Sequence, residues 1–402
     1  MRGLYRGVRP HLTNDFFSVY SISKAWIAGE APYSTPVIVK TFEGASGYKL
    51  GRNTLAQAEN YSALPGMVPL AIPFTVLRWQ AANSAFVLFS IAVLGLMFWM
   101  FVKSFGAPRS RALAFLICCL ALGPIHTGLS GSNVTPLLVG LMGISYLFVR
   151  QRRPIPAGIL LGVVGCCKPH IAGALVLLLL VDREWKTLQA AVLTGFASVA
   201  IFVARLWAAG VPWWSDFLHR TRQFGMSGDA NDFSLANPAR YELTNLQVIL
   251  GSITNNRNTA NCVAIVICAL LVAAWWVSVR RNGKSDLLAF AAINIVLLLP
   301  SYHRFDDASV LVFLFAAAFL EPFRGQWLRA TAFATAVLFA FPVPAALVHY
   351  AESSRIPREL LASTAFQLTC LSVNVWSLLL ISVILIAASH NLMRFHSPHY
   401  RT

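Results

Sequence analysis

The sequence predicts an all-α, polytopic transmembrane protein, and three observations carry that reading. Of its 402 residues, 57% are hydrophobic and only 12% are charged, about half the charge of an ordinary soluble domain. The mean hydropathy is +0.62. The apolar residues also fall in long runs separated by short basic or polar turns.

The elements follow in chain order. Asn14 and Asp15 precede Phe16, Phe17, Tyr20, Ile22, Trp26 and Ile27, a spacing that suits an amphipathic helix lying at the membrane interface. Gly29, Glu30, Ala31, Pro32 and Tyr33 end it, and Asp15 stands where an N-cap would. Glu59, Asn60 and Tyr61 then lead into Leu64, Pro65, Pro69 and Pro73, a proline-punctuated stretch that reads as a second juxtamembrane helix. Residues 1–80 are therefore expected to form an extracytoplasmic first loop, and 81–402 a multi-helix membrane domain with a large outer loop over 209–260. The predicted membrane segments are 82–102, 111–125, 134–149, 155–165, 171–181, 188–207, 263–279, 287–299, 308–320, 330–348 and 366–388. These give about 11 crossings, several shorter than the ~20 residues a lone spanning helix needs. Short segments of this kind point to broken or paired helices shielded by neighbours rather than by lipid.

The formal net charge of +16 would suggest nucleic acid in a soluble chain, but its placement argues otherwise. Lys103, Arg109 and Arg111, then Arg150, Arg152 and Arg153, then Arg183 and Lys186 fall at alternate turns, as do Arg280, Arg281 and Lys284, Arg324 and Arg329, and Arg394 and Arg401. The positive-inside rule makes these turns cytoplasmic. The outer connections are then 130–133, 168–170, 210–261, 301–307 and 349–364. The same alternation needs residues 1–64 outside, yet they have no apolar segment before them and no signal-peptide core. Two explanations fit: a membrane helix encoded upstream, which the pattern favours, or translocation of this stretch by the helix that follows it.

Two polar interruptions stand out. Ser301, Tyr302, His303, Arg304, Phe305, Asp306 and Asp307 separate two apolar runs; they are either a solvated hairpin tip or a cavity lining that binds something. Lys168, Pro169 and His170 break another run, and Lys168 either snorkels or contacts an anion between helices. The 209–260 loop adds Trp213 and Trp214, which mark an interface, and a mixture from Asp216 through Arg220, Arg240, Tyr241 and Gln247 that can contact carbohydrate. Cys118, Cys119, Cys166, Cys167, Cys262, Cys268 and Cys370 lie in or beside apolar runs without ligand spacing and read as packing residues. Neither a nucleotide loop nor a zinc-type histidine pair is present, so no cofactor and no metal is expected. Asp306 and Asp307 alone leave a carboxylate pair that a cation could use.

At this point the chain resembles glycosyltransferase family 87. The residues that carry the resemblance are Asn14-Asp15-Phe16 with Tyr20, Gly29-Glu30-Ala31-Pro32-Tyr33, Tyr61 with Pro65 and Pro69, Gly162 and Gly165 before Lys168-Pro169, and Tyr302-His303-Arg304-Phe305-Asp306. The family often carries a Gly-Gln element where this chain reads Gly131-Ser132-Asn133. The resemblance implies the GT-C fold and an integral membrane enzyme of the cell envelope that uses a polyprenyl-phosphate sugar, mannose and arabinofuranose donors being the known examples. It implies Asp15 as general base, His303 with Asp306 near the donor phosphate and Lys168 as a further phosphate contact; beside it, the charge placement that sets Arg240 and Arg304 on the same outer face adds these two to the groups expected at the phosphate. Asn14, Tyr33, Tyr61, Tyr302 and Asp306 would line the substrate pocket. The expected partners are a polyprenyl-phosphate sugar, a glycan or glycolipid acceptor and membrane lipid, with no nucleic acid. The expected location is the inner or plasma membrane, with the active site on the extracytoplasmic face. Two other classes stay open on the residues alone. One is a polymerase or ligase of lipid-linked glycans, centred on the segment from Arg220 to Arg240 and with no need of Asp15. The other is a transporter, which usually shows two related halves.

Overall fold

A computed structural model describes residues 15–391, apart from 52–54, 56–57, 60–62, 224–225, 230, 238, 255, 283–285, 301, 323–324 and 354. Among the described residues every regular element is helical, and the one piece of β pairing is an isolated antiparallel bridge between Leu243 and Arg304.

Helix formation follows the apolar runs, but length separates two kinds of helix. Trp79–Phe105, Trp185–Ala208, Arg257–Arg281 and Gln326–Ala351 are long and apolar enough to cross a membrane, the last with an interruption at 339–342. Two bent pairs, Arg109–Ala121 with Gly123–Ser130 (48°) and Thr364–Leu371 with Val373–Ser389 (55°), raise the number from four to six. That is the span count the described residues support by length, against the about 11 expected from hydropathy. The remaining apolar runs do form helices, but Thr135–Arg150, Pro154–Cys167, Pro169–Asp182 and Leu287–Val296 have only 10–17 residues.

The short helices differ in what covers them. All ten residues of Leu287–Val296 and all eight of Val312–Phe319 are buried within the protein. On the long helix Trp185–Ala208, by contrast, Val192, Phe196 and Trp207 are 69%, 72% and 83% exposed. An exposed apolar face of that extent belongs against lipid, whereas Leu287–Val296 and Val312–Phe319 have exchanged lipid for protein neighbours.

The chain divides into two compact units. The first comprises the described parts of Met1–Met97, His126–Ala172 and Trp185–Asp229, and the second those of Phe98–Ile125, Gly173–Glu184 and Ala230–Thr402. In the first unit, the helix Pro154–Cys167 packs closely on Trp185–Ala208 through two glycines. A Cβ on Gly158 would stand 2.4 Å from the Thr187 carbonyl oxygen, and one on Gly162 2.6 Å from that of Ala191. Small residues four apart let helix backbones approach in this way inside a membrane.

The helix Asp15–Ala28 also belongs to the first unit, and here the expectation of an interfacial amphipathic helix needs correction. Its residues from Phe16 to Ser23 are all buried. Phe16 stacks on Phe86 with ring centroids 4.2 Å apart and lies edge-on to Phe74 at 5.5 Å. Trp26 donates its indole N–H to the Phe202 carbonyl at 3.0 Å. Ser18, Ser21 and Ser23 look polar in sequence, but they are small enough to sit between packed helices.

In the second unit, the apolar run 308–320 begins as a tight turn. Phe305–Leu311 is 3₁₀ and continues into Val312–Phe319. Phe290 packs on Phe313 with centroids 4.6 Å apart, and Leu287 N–H donates to the Glu321 carboxylate at 3.3 Å.

Candidate active site

Asp15 is the first described residue of its helix and is half-buried. A negative side chain is favoured at this end of a helix by the aligned peptide dipoles. Its backbone N–H donates to the Gly131 carbonyl at 3.0 Å, and its Oδ2 accepts from the Asn133 side-chain amide at 2.6 Å. Asn133 in turn accepts through Oδ1 from the Thr135 N–H at 2.9 Å and from the Thr135 hydroxyl at 2.8 Å. The Lys168 ammonium completes the series by donating to Thr135 Oγ1 at 2.6 Å.

Every bond in this series points the same way, from Lys168 through Thr135 and Asn133 to Asp15. Each donor has only one sensible role: an ammonium and an amide NH₂ cannot accept, and an ionised carboxylate cannot donate. Once Lys168 takes the Thr135 oxygen, the hydroxyl hydrogen is directed to Asn133. Asn133 is thereby held with its NH₂ towards the carboxylate, and the cation's polarity reaches Asp15 through two neutral side chains.

Local backbone explains why the loop reaches Asp15. The helix Gly123–Ser130 stops, and Ser132 adopts a left-handed conformation with φ of 46° while buried. For a residue other than glycine this costs roughly 1–2 kcal/mol. The turn places Asn133 N–H on the Gly128 carbonyl at 2.8 Å and starts the helix Thr135–Arg150 with Pro136 in its first turn. Lys168 follows the helix Pro154–Cys167 and precedes the proline that opens Pro169–Asp182. Asn133 and Thr135 were not among the residues expected at the site, although Asn-x-Thr-Pro at a helix start was a sequence signal for a side chain that bonds back to the turn.

The other predicted residues of the first unit are placed differently. Tyr33 is buried, donates its hydroxyl to the Ala63 carbonyl at 2.8 Å and packs against Phe217 and Phe202. It also lines the polar cleft beside Arg220. Asn14 and Tyr61 lie outside the described residues. Arg220 holds this region together by donating to the carbonyls of Tyr33 and Ala58 at 2.5 Å each and to the Thr35 hydroxyl at 2.8 Å. Burial lowers its pKa from the ordinary value, opposed mainly by the nearby Asp216. Beside it opens a polar cleft of about 340 Å³ lined by Ser34, Glu59, Asp216, His219 and Gln223 among others.

In the second unit, His303 is buried and its Nδ1 lies 3.2 Å from Asp307 Oδ2. Because a carboxylate can only accept, Nδ1 carries the hydrogen of this bond. Asp307 also accepts the Arg304 backbone N–H at 3.2 Å, so it caps the turn that begins Phe305–Leu311 and orients the imidazole at once. The segment 243–247 straps this turn. Thr244 N–H donates to the His303 carbonyl at 2.8 Å, Leu246 N–H to that of Leu299 at 3.0 Å, and the Gln247 side chain to that of Pro300 at 2.7 Å. Asp306 is buried within the same turn, while Tyr302 and Arg304 are half-buried.

Arg240, expected to meet a phosphate, is instead a buried strut. Its guanidinium lies over the Tyr241 ring and donates to the Phe233 carbonyl at 3.2 Å. One terminal nitrogen lies 2.7, 2.9 and 3.0 Å from Tyr241 Oη, Ser252 Oγ and Gln367 Oε1. Interior acceptors of this number account for its charge without a ligand.

A search of curated proteins and of solved structures finds no match to the chain. A family model does match, over residues 65–301, and its description is glycosyltransferase family 87. The matched stretch includes Asn133, Thr135 and Lys168, while Asp15 and His303 lie on either side of it.

Proposed function

The chain belongs to glycosyltransferase family 87, and from that membership we propose that it transfers a hexose or pentose, mannose first among them, from a polyprenyl-phosphate donor to a glycan or lipid acceptor. The protein is a multi-pass membrane glycosyltransferase. The single observation that carries the finer reading is the directional series from Lys168 to Asp15, because it presents a carboxylate held from one side by a built support.

The reaction is a displacement with inversion. The acceptor hydroxyl oxygen attacks the anomeric carbon, and the bond from that carbon to the phosphate oxygen breaks. Its electron pair leaves with the lipid phosphate, and the hydroxyl proton passes to Asp15. Asn133 holds the Oδ2 oxygen of Asp15, and an ionised carboxylate has two oxygens with about four acceptor positions. Lys168, in the same unit as Asp15, is the group assigned to the phosphate, where charge-assisted bonds are strongest. The polar cleft at Arg220 suits a hydroxyl-rich acceptor. Charge alternation along the sequence supports the extracytoplasmic face for this chemistry.

The test is transfer from radiolabelled polyprenyl-phosphate-mannose in membranes carrying the protein, with Asp15→Asn alongside. The expected result is transfer by the wild type and donor binding without transfer by the variant. Transfer at wild-type rate by Asp15→Asn removes the base assignment. Donor bound but never transferred by the wild type, or solute uptake without a lipid-linked donor, removes the reaction itself.

A further inference from the structure

The first unit contains a second cleft, of about 450 Å³, that the proposed reaction does not use. Its wall includes Val76, Leu77 and Arg78, the three residues immediately before the spanning helix Trp79–Phe105. Among the described residues, Lys24, Lys40 and Arg78 line it, with Glu30 as the one carboxylate. Glu30 pairs with Lys40 at 3.0 Å, so among the described lining residues no carboxylate is left to balance Lys24 and Arg78. The rim is fixed rather than loose: Lys24 donates to the Thr75 carbonyl at 3.1 Å, and the Tyr20 hydroxyl donates to the Leu77 carbonyl at 2.7 Å. At the lip of this wall, Val76 is 79% exposed and Leu77 is also exposed.

A cationic cleft with an exposed apolar lip, at the end of a membrane-crossing helix, complements a molecule that has an anionic head and apolar chains. We propose that this cleft binds the phosphate of an anionic membrane phospholipid, with the lipid chains running past Val76 and Leu77. The cations supply charge complementarity to the phosphate, and their position at the helix start sets them at headgroup level, where basic side chains attract anionic lipid. The lip argues for a lipid over free phosphate, since a free anion gains nothing from exposed valine and leucine.

The experiment measures lipid retention on the full chain in detergent by native mass spectrometry, after exposure to phosphatidylglycerol, phosphatidylcholine or inorganic phosphate. Wild type should retain phosphatidylglycerol over phosphatidylcholine, and R78Q should lower that preference about fivefold, with a further drop of similar size in K24Q/R78Q. K49Q, an exposed charge outside the cleft, should leave it unchanged. Equal retention of the two lipids by wild type, an unchanged preference in K24Q/R78Q, or an equal loss in K49Q overturns the proposal. So does displacement of phosphatidylglycerol by millimolar inorganic phosphate, which would make the site one for the free anion. The readout needs no sugar transfer, so its failure is separate from any failure of the reaction proposed above.

Discussion

The Asp15 and His303 clusters are both polar groups set in an apolar chain, yet they are built in opposite ways. Asp15 takes its partner from Asn133, 118 residues along the chain, and that partner is fixed from Lys168, a further 33 residues beyond Thr135. His303 takes its partner from Asp307, four residues on, and the same carboxylate caps the local turn. A side chain held through other side chains can lose its aim while the fold survives. One that shares its partner with the backbone cannot, because the bond that orients it also shapes the turn. The two clusters should therefore fail differently, the first in rate and the second in stability.

The largest effect is expected at Asp15 itself. Asp15→Asn should cut transfer by about 10²–10⁴-fold while leaving thermal unfolding in detergent close to wild type, since an amide still accepts from Asn133. A large fall in melting temperature would erase the contrast between the clusters.

Next comes Asn133, the residue that separates a positioned carboxylate from a merely present one. Asn133→Ala should slow turnover by about 10- to 150-fold, the equivalent of a hydrogen bond to a charged group at ~1.5–3 kcal/mol, with little change in KM. Asn133→Asp makes a sharper test because it sets a second carboxylate where the amide stood 2.6 Å away. Like charges at that distance raise one of the two pKa values. A base works only when ionised, so the acidic limb of the pH–rate profile should move to higher pH in Asn133→Asp. It should stay in place in Thr135→Val, which breaks the support without adding charge. Superimposable profiles would mean that Asn133 does not act on Asp15.

The same contrast explains what the sequence could and could not reveal. Asp307 was readable as a helix cap from its position just before an apolar run, and its spacing from His303 is that of one turn. Asn133 was visible as a departure from the family pattern and as the start of Asn-x-Thr-Pro, but nothing local links it to a residue 118 positions earlier. Hydropathy located the helices well: the run 82–102 lies inside Trp79–Phe105, and 155–165 inside Pro154–Cys167. Apolar residues serve both lipid-facing and protein-facing helices, so hydropathy alone does not separate the two; it was the shortness of the run 287–299 that pointed to shielding by neighbours, and Leu287–Val296 is buried inside the protein. For the helix Asp15–Ala28 the spacing of the apolar residues suggested one buried face, but the serines between them are buried too, as small packing residues. Arg240 read as a ligand contact because a sequence shows a cation without the carbonyl and hydroxyl groups that receive it.

In the second cluster the expected loss is structural. Asp307→Asn keeps one acceptor oxygen but gives up the charge-assisted bonds to His303 Nδ1 and Arg304 N–H, and should lower stability by ~1–3 kcal/mol, read as a fall in melting temperature that Asn133→Ala does not share. His303→Ala should weaken donor binding or turnover as well. A donor affinity and rate equal to wild type would leave the histidine as a partner for the cap and nothing more.

The smallest effects concern how Lys168 is carried to Thr135. Gly162 and Gly165 stand on the same helix just before Lys168, and in sequence they look equivalent. Their surroundings are not. A Cβ at Gly162 would meet the Ala191 carbonyl oxygen and Thr194 Cβ at 2.6 Å each, whereas one at Gly165 would meet only Ala172 Cβ, at 3.8 Å. Backbone oxygen cannot rotate away as a side chain can, so Gly162→Ala must push the helix Pro154–Cys167 from Trp185–Ala208, at a cost of ~1–3 kcal/mol. Because Lys168 ends that helix, the displacement should also lengthen its bond to Thr135 and lower turnover in parallel with stability. Gly165→Ala adds a methyl group at ordinary contact distance and removes a flexible residue from a helix, so it should be neutral or stabilising by up to ~1 kcal/mol, with turnover unchanged. Measured together, the pair separates the packing of the helix from its mere composition. If both substitutions behaved alike, the close approach at Gly162 would not be what sets the position of Lys168.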